Sequence, residues 1–150
     1  MIFRSLYPHV QIPNVPLTPF VLRHASRLAD KVAIVDGLTG HGFTYGELTA
    51  AVAAVASALA ERGFRKGDVF AIYAANSPEY AIAFHAVVSL GGIVTAVNPT
   101  ATSEELAYQL NDAGATYLLT ASESFDRAVA TAATSPVREL FVFGDVQGHT

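Results

Sequence analysis

Val69-Phe70-Ala71-Ile72-Tyr73-Ala74, followed by Asn76-Ser77-Pro78-Glu79-Tyr80 and, further on, by Gly91-Gly92-Ile93-Val94-Thr95-Ala96-Val97, is the stretch on which the fold turns. The first run is continuously apolar, as expected of a parallel strand covered on both faces. Ser77 then offers a hydroxyl at a helix cap, with proline at the first helical position, where its missing N–H costs nothing. From Pro78 to Leu90 the residues are apolar nearly all round, which predicts a buried helix. The glycine pair stops that helix, and Ile93 to Val97 reads as a second buried strand. Tyr80 to Val97 carries no Asp, Glu, Lys or Arg and is just long enough to be considered as a membrane span. His85, Ser89, Thr95 and the central glycine pair argue instead for helix, stop and strand, with no membrane span.

The same alternation continues outward. Downstream, Thr102-Ser103-Glu104-Glu105 is a capping box, Gly114 ends its helix, Thr116 to Thr120 is a strand, about Glu123 to Ala133 a helix, and Glu139 to Phe143 a last strand. Upstream, Thr44-Tyr45-Gly46-Glu47 is another capping box. Leu48, Val52, Val55 and Leu59 follow at helical spacing, and Gly63 is the terminator. Val32 to Val35 reads as a strand, Asp36 to Gly42 as a turn, and Phe43 as the start of a second, antiparallel strand. Prolines at 8, 13, 16 and 19 predict an extended arm over residues 1–18, with a short helix from about Pro19 to Leu28. The expected fold class is therefore α/β, a mostly parallel sheet with helices on both faces built from βαβ units. Gly144 to Thr150 is loop-like.

Composition narrows the function classes. The 150 residues are 51% hydrophobic and only 15% charged, too apolar for a disordered chain and low in charge for a free-standing domain. Part of the apolar surface is therefore expected to meet more protein, and if the chain is a truncated piece of a larger α/β fold, self-association is expected of it by itself. Net charge is −4 with no basic stripe, which excludes a nucleic-acid partner. There is no cysteine, so disulfide and thiolate chemistry are excluded and a reducing compartment, taken here as the cytoplasm, is compatible. The N-terminus has no apolar core of a signal peptide.

A search for chemistry finds scaffold. No glycine-rich turn ends in Lys-Ser or Lys-Thr, and no three spaced glycines lie between a strand and a helix. Gly37, Gly40 and Gly42 precede a strand and read as a hairpin turn. His9, His24, His41, His85 and His149 are scattered, without the spacing a metal site needs. No Gly-x-Ser-x-Gly elbow is present. His85, on an otherwise apolar helix, is either a pocket-lining base or ligand-contacting group, or else a histidine bonded to a backbone carbonyl or to Ser89, and the latter is favoured. Asn76-Ser77 should lie just beyond the C-terminal end of a parallel strand, where ligands of such sheets bind, although a helix cap alone explains both residue types. Glu104 and Glu105 complement a helix dipole. No residue is assigned a catalytic, cofactor-binding or metal-binding role.

Several phrases together carry a resemblance. Thr44-Tyr45-Gly46-Glu47-Leu48, Lys66-Gly67-Asp68-Val69, Asn76-Ser77-Pro78-Glu79-Tyr80 and Asn98-Pro99-Thr100-Ala101-Thr102-Ser103-Glu104-Glu105-Leu106 resemble, in order and spacing, the beginning of adenylate-forming acid–CoA ligases. Ile2-Phe3-Arg4-Ser5 and Ile12-Pro13-Asn14 are most similar to the 4-coumarate–CoA ligase branch, with fatty-acid–CoA ligases close by. The resemblance implies a two-step reaction. A carboxylic acid and ATP, assisted by Mg²⁺, give an acyl-adenylate and pyrophosphate, and coenzyme A then displaces AMP. It also implies that residues 1–150 are a partial N-terminal domain, beginning at the native start. The family's phosphate loop, adenine-binding segments and mobile C-terminal domain with its lysine match no position here. The rest of the same polypeptide is then the chain's partner, the isolated chain is expected to be inactive and to hold no ATP, Mg²⁺ or CoA, and the acid is open between hydroxycinnamates and fatty acids. A free-standing α/β binding or interaction module is the alternative from another class, and a doubly wound nucleotide-binding enzyme a third.

Overall fold

A computed structural model of the chain describes residues 6–8 and 10–144. The Ile2–Ser5 phrase, His9, His149 and most of the loop-like end, from residue 145, lie outside the described residues.

The first helix, α1 (Leu17–Val21), starts two residues before the predicted Pro19 and stops well short of Leu28. Pro19 occupies its third position, where a backbone N–H has no intrahelical partner in any case, so it does not define the start. A five-residue helix without a side-chain cap does not sustain itself, and the chain turns before a separate 3₁₀ turn at Ala25–Leu28. Strands β1 (Val32–Val35) and β2 (Gly42–Thr44) pair antiparallel as a hairpin separate from the main sheet. Asp36 shapes its loop, accepting from the N–H groups of Leu38 and Thr39 at 2.8 Å each.

Helix α2 (Tyr45–Glu61) begins with the expected box: the Thr44 hydroxyl accepts from Glu47 N–H at 3.2 Å, and the Glu47 carboxylate accepts from Thr44 N–H at 2.8 Å. Leu48, Val52, Ala56 and Leu59 are its buried stripe, with the predicted Val55 half-buried between two clusters. Strand β3 (Val69–Tyr73) is followed by α3 (Pro78–Ser89), β4 (Ile93–Val97), α4 (Ser103–Asp112), β5 (Tyr117–Ala121), α5 (Phe125–Ala132) and β6 (Glu139–Phe143). The predicted helix from Glu123 resolves into a 3₁₀ turn, Ser122–Ser124, ahead of α5; Ser124 makes no side-chain cap bond, so the first turn tightens instead.

The four main strands form one parallel sheet in the order β4-β3-β5-β6. The alternation legible in the sequence is thus realised as a parallel sheet with helices on both faces. Residues of α2 and α3 share a cluster with Phe70, Ile72, Tyr117 and Leu119 on one face. Those of α4 and α5 share another with Ala71, Tyr73 and Leu118 on the opposite face. β3 and β5 are buried as central strands. β4 differs from the expected buried strand: it is an edge, and Ile93 is 53% exposed. Gly92 sits against the Phe64 ring and 2.9 Å, measured from a Cβ added to it, from Val87 Cγ1, so the glycine pair is a close-packing device as well as a stop. No helix is long and apolar enough to cross a membrane among the described residues.

Candidate functional site

In a sheet of this kind the functional end is the C-terminal edge, at the point where successive connections leave on opposite faces. Here that point lies between β3, whose connection runs over the α3 face, and β5, whose connection runs over the α5 face. The Thr120 hydroxyl donates to the Tyr73 carbonyl at 3.0 Å and ties the two strand ends together.

Around this point the side chains form a clamp. Tyr73 is fully buried, yet its hydroxyl donates to Ala101 O at 2.9 Å, in the loop between β4 and α4. Arg127, from the first turn of α5, donates through Nη1 to both the Tyr73 hydroxyl and Ala101 O at 2.8 Å each. A cation in a first helical turn opposes the macrodipole; the two acceptors it reaches account for its position. Asn98 organises the same loop, its Oδ1 accepting from Thr100 N–H at 3.0 Å and from the Thr100 hydroxyl at 2.9 Å. Tyr73, Ala101 and Arg127 were missed in the sequence. The available signals were a phenol ending an apolar strand and an arginine at an unfavourable helix position.

The residues singled out in the sequence do not converge. Ser77 is the N-cap of α3, accepting from Tyr80 N–H at 3.2 Å, and Asn76 is exposed beside it. Together with Pro78 and residues 34–38 of the hairpin they line a groove of about 210 Å³. His85 is bonded neither as a base nor to Ser89. Its Nδ1 and its carbonyl oxygen each lie 3.1 Å from the Thr18 hydroxyl of α1, while Ser89 donates to Ala86 O. Burial pushes the imidazole pKa down. His24 and His41 are exposed on other elements. Gly37, Gly40 and Gly42 belong to the hairpin, with Gly40 at φ +75°. Glu105 closes the α4 box, Thr102 N–H donating to its carboxylate at 2.8 Å, and that backbone bond foremost holds its pKa below the usual carboxylate range. Glu104 is exposed in the first turn.

Among the described residues no group of three or more His, Cys, Asp or Glu is placed to hold a metal ion. The positive-φ glycines lie at helix ends and turns, at Gly63, Gly67, Gly91 and Gly114 among others, and none opens a phosphate cradle into a helix. An apolar groove of about 590 Å³ lies between α2 and the sheet, lined by Ala54, Ala58, Phe70, Leu119, Phe141 and Phe143 among others.

Residues 21–146 match the family model of the AMP-binding enzymes. The chain belongs to that family. Among its relatives, a 4-coumarate–CoA ligase of Arabidopsis thaliana is 39% identical over 127 residues, 84% of this chain but 23% of the relative. One from Petroselinum crispum is 34% identical over 143 residues, 95% of this chain and 26% of the relative. A long-chain-fatty-acid–CoA ligase of Archaeoglobus fulgidus superposes with a TM-score of 0.86 at 23% identity, over 96% of this chain and 30% of that one. The chain thus spans about a quarter of the length of the curated relatives it matches, and its fold is that of the N-terminal part of adenylate-forming enzymes.

Proposed function

We propose that this chain is part of the large N-terminal domain of an ATP-dependent acid–CoA ligase, with an arm ahead of α1 and an α/β layer after it. The whole protein would join a carboxylic acid to coenzyme A through an acyl-adenylate, releasing AMP and pyrophosphate, in the cytoplasm. The observation that carries the proposal is the 39% identity to a 4-coumarate–CoA ligase across 84% of the chain, which covers strands, caps and turns alike. The relatives' names make a hydroxycinnamate the first acid to test, with fatty acids second.

In this reading the chain's own residues act as scaffold. The Tyr73–Ala101–Arg127 clamp fixes the β4–α4 loop against the sheet's C-terminal edge, and the capping boxes fix the axes of α2 and α4. ATP, Mg²⁺ and CoA would be held by the polypeptide with which this layer packs. The test is acid-dependent ATP–pyrophosphate exchange and thioester formation. The chain extended by its downstream coding frame is expected to show both, and residues 1–150 neither. Exchange by the 150 residues alone, or none by the extended protein with any aromatic or fatty acid, overturns the proposal.

A further inference from the structure

We draw no further inference here: the strongest candidate, the apolar groove between α2 and the sheet together with the outer edge of β6 beside it, carries nothing, because nothing in the structure shows what covers it.

Discussion

The hydroxyl of Tyr73 lies 2.9 Å from the carbonyl oxygen of Ala101, joining the last residue of the central strand to a loop on the far side of a crossover. Arg127 touches both partners, so three chain segments meet at one buried phenol. Tyr73→Phe removes the hydroxyl from a fully buried site and is expected to cost about 1–2 kcal/mol. Arg127→Ala leaves the Tyr73–Ala101 bond in place and is expected to cost less. Because the two share an acceptor, the double variant should depart from additivity by at least about 0.5 kcal/mol. Urea denaturation of the four species measures it.

The two capping boxes are chemically identical and share no partner. Thr44→Ala and Thr102→Ala are each expected to cost about 1 kcal/mol, and the pair close to their sum. A denaturation midpoint unmoved by either change would remove the cap from the stability argument.

Both boxes also set a pH dependence. The carboxylates of Glu47 and Glu105 are held below the usual range, first by the backbone N–H of the cap residue and then by its hydroxyl. Their folded pKa values are thus lower than their unfolded ones. The stability they give is present above the unfolded value, about 4.3, and is lost as pH falls through the depressed folded values. Replacing both by Gln keeps an acceptor and removes the titration, so the acid limb of a stability–pH curve is expected to flatten.

Gly92 and Gly63 separate two reasons for glycine. At Gly63 (φ +91°) an added Cβ meets nothing within 4 Å, and Ala should cost about 1 kcal/mol through its backbone alone. At Gly92 the Cβ would meet the Phe64 ring and Val87, both in the core, and Ala should cost about 1–3 kcal/mol by overpacking. Thermal midpoints ranked with Gly63→Ala above Gly92→Ala bear this out.

Thr18 fixes the tautomer of His85. A carbonyl cannot donate, so with both contacts made as hydrogen bonds the single Thr18 hydroxyl hydrogen goes to His85 O and the proton between Oγ1 and Nδ1 belongs to the ring. Nitrogen NMR should show the neutral imidazole protonated at Nδ1. Burial lowers its folded pKa, so the associated stability is complete above about 6.5 and declines as pH falls through the folded value. Thr18→Val is expected to cost about 1 kcal/mol and to speed amide exchange in α1.

Local signals were the legible ones. Both capping boxes, the Pro78 start and the Glu139–Phe143 strand stand where hydroxyls, prolines and apolar runs place them, because each is decided within a few residues. Strand order was not legible, which is why Ile93–Val97 looked like interior and proved an edge: an apolar run says what a strand tolerates, not which neighbours it acquires. The Thr18–His85 contact spans 67 positions and the Tyr73–Arg127 contact 54, and neither leaves a periodic trace. The candidate site was located at the strand ends but its clamp residues were not.

Strand order has a kinetic consequence. β3, the earliest of the four in the chain, sits inside the sheet and finds its first neighbour after a single crossover, through α3 to β4. The unit β3–α3–β4 can therefore close while the chain is still being synthesised, and β5 and β6 each add to an edge that already exists. Growth reverses after β4 closes on one side of β3 and then runs through β5 to β6 on the other, so loop closure is divided into short steps rather than met at once.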